Sequence, residues 1–209
     1  MLELFLAVLG SLFSVVNPLG AVPVFLAMTP HYGPKERVKT AMQTSLYFVL
    51  ILLSFFLAGS LILSFFGISI NSMKIAGGLV ILSSGYALLS GKFAESRAIT
   101  TKVKEEAISK EDISFSPMAM PLLSGPGSIS LLIGLYAEHS LPTERCLIAG
   151  VVIFLGLIVF LILRSSPYLF KLLGFAGLKA LSRIMGFLVM AIGIQYIISG
   201  IVDLVKVLA

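Results

Sequence analysis

The chain has 209 residues, 58% of them hydrophobic and only 12% charged, with a net charge of +5 and a mean hydropathy of +1.07. Soluble domains carry about a quarter charged residues, so this composition excludes an ordinary water-surrounded globule and points to lipid as the solvent. The positive charge then reads as loop lysines and arginines that orient a membrane protein, not as a nucleic-acid surface.

A hydrocarbon slab needs about 20 apolar residues per helix. Six segments meet or approach that length, at about 3–28, 40–66, 72–91, 113–137, 146–163 and 181–202. A membrane β-barrel would alternate polar and apolar positions in short segments. LYFVLILLSFFLAGSLILSFF does not alternate, so the predicted fold is an all-α membrane protein of six transmembrane helices. The N-terminus does not read as a signal peptide: it carries Glu3 in place of Lys or Arg, and its apolar run continues past any plausible cleavage site. It is read as the first span. The single cysteine, Cys146, excludes an internal disulfide and any cysteine metal cluster.

The first span contains VVNPLGAVP, Val15 to Pro23, a helix-breaking cluster in the middle of an apolar run. Interior proline removes a backbone hydrogen bond and clashes with the preceding turn. Before it, Ala7, Gly10, Ser11 and Ser14 lie at helical spacing and predict close approach of another helix. The turn after this span leads into PKER, Pro34 to Arg37, where proline suits the first turn of the second helix. Gln43 near the start of the second span reads as interfacial. Gly77, Gly78 and Gly85 predict close packing in the third span. Lys74 at its start is expected to snorkel.

The segment 92–112, KFAESRAITTKVKEEAISKED, holds five bases and five acids and reads as a solvated linker. It divides the chain into 1–91 and 113–209, each with three spans. The fourth span brings a second compound break, PLLSGPGSIS, Pro121 to Ser130. PTER, Pro142 to Arg145, opens the fifth helix. The sixth holds Arg183 near its end and Gln195 at depth.

The halves superpose in sequence. At an offset of 108, Pro18 falls on Pro126 and PKER on PTER. At 109, Lys74 meets Arg183, Gly77 meets Gly186, Tyr86 meets Gln195 and Gly91 meets Gly200. Three spans per half require the second half to enter from the opposite side. The expectation is therefore two inverted three-helix repeats with helices 1 and 4 broken mid-membrane, the plan of many secondary transporters. Twelve bases lie on the side of the 92–112 loop and three on the other. That loop is therefore expected in the cytoplasm and both termini outside.

Non-helical backbone at membrane depth survives only where protein or a wet cavity covers it, so both breaks are expected to face inward. Half-helix N-termini offer N–H groups to anions and C-terminal ends offer carbonyls to cations. A zwitterionic amino acid needs one of each. The candidate substrate-binding residues are Asn17, Pro18 and Gly20 at the first break, and Ser124, Gly125, Pro126, Gly127 and Ser128 at the second. Packing kinks are the competing reading. Tyr86 and Gln195 rank lower, as interhelical hydrogen-bonding or lining groups. His31 and His139 sit at membrane edges without metal-ligand spacing. Glu36 with Arg37, and Glu144 with Arg145, read as helix-start charges. No Asp or Glu lies deep in a span, which argues against a carboxylate proton relay and leaves a coupling ion, Na⁺ or H⁺, open. No nucleophile, phosphate-loop or zinc-protease motif is present, so an enzyme and a bound cofactor are not expected.

NPLGAVPVFLAMT and MPLLSGPGSIS resemble motifs of the MarC family of bacterial and archaeal integral membrane proteins, the UPF0056 type. That family is in turn similar to a neutral amino acid transporter family. The resemblance covers essentially the whole chain. Its Asn-Pro-x-Gly falls on Asn17, Pro18 and Gly20, and its Pro-x-x-x-Gly-Pro-Gly on Pro121, Gly125, Pro126 and Gly127. It implies residence in the prokaryotic cytoplasmic membrane and transport of glycine or alanine. The expected partners are a small-molecule substrate, lipid and, in a homo-oligomer, further copies of the chain. Two alternatives stand beside this: a non-transporting scaffold or stress-related membrane protein, and an exporter of other small apolar compounds.

Overall fold

The structure, a computed structural model, describes residues 1–92 and 112–208. The charged 92–112 loop therefore falls almost wholly outside the described residues. Those residues form helices and turns, with no strand among them. In order they are α1 (Leu2–Val16), α2 (Pro18–Met28), α3 (Pro34–Phe65), α4 (Ile70–Ser90), a π-wound α5 (Ser114–Leu123), α6 (Pro126–Glu138), α7 (Pro142–Arg164) and α8 (Ser166–Leu208). Five stretches are long and apolar enough to cross a membrane, counting α1 and α2 as one. A sixth appears if α5 and α6, bent by 66° at their junction, form one span.

Local chemistry explains the boundaries. Pro18, Pro34, Pro126 and Pro142 each stand in the first turn of a helix, where the missing N–H has no helical partner. Ser69 caps α4 by accepting from the Ser72 N–H at 3.1 Å. Gly91 ends α4 with φ 78°, a left-handed conformation that glycine adopts without a Cβ penalty.

The sixth helix departs from expectation. It was predicted over 181–202, yet α8 begins at Ser166 and changes direction at Gly174, φ 64° and ψ 179°. The stretch of α8 before residue 181 carries Lys171 and Lys179. A hydropathy window reads such charges as loop, although at helical spacing they suit a surface helix.

The core is a continuous apolar cluster that includes Leu12, Phe25, Met28, Phe48, Phe56 and Leu132, all fully buried or nearly so. Leu50, Leu57 and Leu61 of α3, Leu157 of α7, and Ile184 and Phe187 of α8 face outward. Outward apolar surface on every long helix is what lipid requires.

The tightest seam joins α4 to α8. Gly186, Gly193 and Gly200 recur every seven residues and face Gly85, Gly78 and Asn71 in antiparallel order. A Cβ on Gly78 would stand 2.7 Å from the Gly193 carbonyl oxygen, and one on Gly193 would stand 2.8 Å from that of Gly78. The two backbones touch directly, as small residues permit in lipid. Gly78 and Gly85 thus do the packing expected of them. Gly10 does not, because a Cβ there would meet nothing within 4 Å. Gly10 and Ala7 face outward.

Two arginines fasten helix ends. Arg37 at the start of α3 donates from Nη2 to the Thr29 carbonyl at 2.8 Å. Arg145 at the start of α7 donates from Nε to the His139 carbonyl at 2.7 Å and from Nη2 to that of Tyr136 at 3.2 Å. Both satisfy carbonyls at helix C-termini and set a cation against the negative dipole end. His139 Nδ1 also lies 3.0 Å from Glu144 Oε2. The two motif arginines are therefore caps, a role beyond helix-start charge.

Candidate functional site

At the first break α1 stops at Val16 and Asn17 turns left-handed, φ 50° and ψ 63°. Asparagine is among the few side chains that tolerate this conformation. Its N–H still closes α1 by donating to the Phe13 carbonyl at 2.9 Å. Its Oδ1 accepts from the Gly20 N–H at 3.3 Å and so caps α2. The amide folds back over the first turn of α2, and a Cβ on Gly20 would collide with it. Gly20 is needed for that reason. Asn17, Pro18 and Gly20 are all buried.

The second break is built differently. α5 contains non-helical backbone at Ser116 and Met120 and cis peptide bonds before Pro117 and Pro121. The Ser124 N–H donates to the Ala119 carbonyl at 2.8 Å. Gly125 is extended, and α6 starts at Pro126. Ser128 Oγ turns back to the Gly125 carbonyl at 2.9 Å. Ser124, Gly125, Gly127 and Ser128 are buried, whereas Pro126 is exposed. That proline stands in the first turn of α6.

The breaks lie side by side. A Cβ on Gly127 would stand 3.5 Å from Val15 in the last turn of α1 and 3.2 Å from Ile81 of α4. Residues close to the two breaks in sequence are therefore neighbours in space. A Cβ on Gly20 would stand 3.2 Å from Ser182 Oγ, which brings α8 to the first break.

Six buried polar atoms among the described residues have no hydrogen-bond partner: Asn17 Nδ2, Tyr32 Oη, Thr44 Oγ1, Ser114 Oγ, Ser124 Oγ and Ser166 Oγ. Each such group costs about 1–3 kcal/mol against a satisfied one. Two of the six, at Asn17 and Ser124, belong to residues singled out from the sequence. Thr44, Ser114 and Ser182 were not singled out. Small hydroxyl residues are ordinary in membrane helices, and only the packing reveals which of them lack a partner.

Other polar residues take different places. Tyr86 and Gln195 are exposed on the outer surface and line no interior space. In their stead Tyr196 is buried and donates to the Ser130 carbonyl at 3.2 Å. A Cβ on Gly134 would collide with its hydroxyl, and one on Gly77 with that of Ser130. Lys74 does not snorkel. It is 4% exposed and bridges Glu138 of α6 at 2.5 Å and Asp203 of α8 at 2.8 Å, with Ser199 Oγ at 3.4 Å. Both carboxylates stand near helix ends, so a search for acids deep in spans passes over them. In the turn between α2 and α3, burial pushes the Tyr32 phenol above its ordinary pKa, reinforced by Glu36 and Asp112.

Lipid-facing apolar helices around two adjacent interrupted helices define a multi-pass integral membrane protein. Residues 2–205 match the family described as MarC family integral membrane protein. The chain belongs to that family. It is 40% identical over 192 residues to a UPF0056 membrane protein of Buchnera aphidicola, covering 91% of this chain and 88% of the relative. It is 35% identical over 200 residues to one of Pyrococcus abyssi, covering 96% and 95%. It is also 35% identical over 218 residues to the UPF0056 inner membrane protein MarC of Citrobacter koseri, covering 99% of each chain. No solved structure matches it significantly.

Proposed function

We propose that the protein is a secondary transporter of small neutral amino acids such as glycine and alanine, working by alternating access in the prokaryotic cytoplasmic membrane. The observation that carries this reading is the pair of buried, unpartnered groups, Asn17 Nδ2 and Ser124 Oγ, each at the break before a helix N-terminus. Unpaired polar groups at the helix ends of an apolar bundle suit a polar ligand that replaces the missing partners. Asn17, Pro18, Gly20, Ser124, Gly125, Gly127 and Ser128 form the proposed substrate site, with Pro126 as the structural start of α6.

The proposed architecture is six spans in two inverted repeats, 1–91 and 113–209, with the intervening loop cytoplasmic and both termini outside. Its support is the recurrence of devices at one offset: Pro18 and Pro126 open half-helices, Pro34 and Pro142 open the next helices, and Arg37 and Arg145 reach back to the preceding helix ends. The glycine seam bears on the motion. It ties the last helix of one half to the last helix of the other, and rocking the halves as rigid bodies would pull those backbones apart. In the proposed cycle α4 and α8 stay together as a frame, and the broken helices move against them with α3 and α7.

The test is flux of labelled glycine and alanine into proteoliposomes, with and without a Na⁺ or pH gradient. Saturable flux that unlabelled substrate competes away is expected. Gly20→Leu and Gly127→Leu should abolish it while the protein still inserts, because each side chain would displace the contacts described above. Absence of flux across a panel of amino acids would favour a non-transporting scaffold.

A further inference from the structure

We infer that the first break is the carboxylate subsite, with the Asn17 amide as its principal donor and Ser182 of α8 as its second. This rests on the transport reading and adds the orientation of the substrate and a residue from a third element. The side chain of Asn17 is 0% exposed and its two ends are not equivalent. Oδ1 is engaged by the Gly20 N–H at 3.3 Å. Nδ2 has no partner, and an amide nitrogen can only donate. The group that completes it must therefore be an acceptor.

The surroundings favour an anionic acceptor. Nδ2 lies over the first turn of α2, at the positive end of the helix dipole. A substrate ammonium brought here would meet donors and a positive field. A carboxylate would meet their complement, as anions do at helix N-termini. Ser182 Oγ lies 3.2 Å from the point a Gly20 Cβ would occupy, and the Asn17 amide covers that same point. Amide and hydroxyl therefore flank one spot, from two helices that pack on each other. Because Ser182 comes from the frame helix α8, a carboxylate held there would span the frame and the broken helix. Gly20, which carries no side chain, leaves the room that the Asn17 amide fills.

Asn17→Asp separates binding from folding. An aspartate at this position keeps the cap on Gly20, since Asp and Asn are equally good in that role, but replaces the free donor with an acceptor. The probes are glycine and glycinamide, whose carboxamide has N–H groups that an aspartate can accept. Binding of labelled glycine, and its displacement by glycinamide, are measured on the full-length protein in lipid nanodiscs. Asn17→Asp should weaken glycine by about tenfold or more while glycinamide binds at least as well as to the wild type. Ser182→Ala should weaken glycine about three- to tenfold with an unchanged thermal midpoint.

Glycine affinity within about twofold of the wild type in both variants, or parallel loss of both probes, overturns the assignment. If Asn17→Asp is not monodisperse, Ser182→Ala decides on the same twofold threshold. A wild type that binds no glycine, alanine or serine overturns the transport reading itself, a result distinct from a binding wild type with indifferent variants.

Discussion

Replacing Gly193 by alanine tests whether α4 and α8 are held backbone to backbone. The added Cβ would stand 2.7 Å from the Leu82 nitrogen and 2.8 Å from the Gly78 oxygen. Neither atom can rotate away as a flexible side chain would, so the helices must part by several tenths of an ångström along their shared seam. Overpacking of this kind costs about 1–3 kcal/mol. Alanine recovers about 0.5–1 kcal/mol of helix preference. The net expectation is a loss of about 0–2.5 kcal/mol against the wild type, and of about 1–3 kcal/mol against an alanine that meets nothing. Gly150→Ala is the control: it lies within α7, is exposed, and a Cβ there would meet nothing within 4 Å. It should be neutral or slightly stabilising. Gly186→Ala, with contacts at 2.9 Å to the Gly85 oxygen and Leu89 nitrogen, should behave like Gly193→Ala. Both sites lie on one seam, so the separation that one alanine forces relieves part of the clash at the other, and the double variant should lose less than the sum of the single losses. Reversible unfolding in mixed micelles, followed by circular dichroism, supplies the free energies. Stability of Gly193→Ala within about 0.5 kcal/mol of Gly150→Ala would refute the reasoning.

Lys74→Met should destabilise the bundle by about 1–3 kcal/mol, below the usual figure for a fully buried pair because Glu138 and Asp203 remain about a third exposed. Adding Glu138→Gln and Asp203→Asn should recover part of that loss in the same unfolding assay, since the carboxylates would no longer repel without a shared cation. Arg37→Ala and Arg145→Ala should each lower the thermal midpoint by a similar amount, about 1–2 kcal/mol in free energy. Each should also hasten proteolysis at the turn it fastens, residues 29–33 or 138–141. Arg145→Lys should not restore the wild type, because one ammonium cannot reproduce the forked contact with the carbonyls of Tyr136 and His139.

The breaks were legible because proline, glycine and asparagine stand out in apolar helices, and their cost requires a reason. The helix starts at Pro34 and Pro142 were legible for the same cause. Lys74 misled, because a lysine near a span end snorkels by default, and only folding reveals that Glu138 and Asp203 arrive from two other helices to hold it. Gln195 misled in the opposite sense. Depth along a helix says nothing about which way a side chain points, and its neighbour Tyr196 occupies the interior. Gly10 and Gly193 look alike as small residues in spans; one faces outward and the other touches a backbone carbonyl.

The solvent, the helical class and the two interruptions follow from apolar run length and backbone chemistry that no neighbour can change. The tertiary structure alone decided which helices share a seam, that Val15 and Gly127 bring the breaks together, and that Ser182 stands beside Asn17. Those depend on rotation about each helix axis and on distances between segments far apart in the chain. In lipid, where apolar surface is no guide to what lies inside, the periodicity of hydrophobic residues does not supply them.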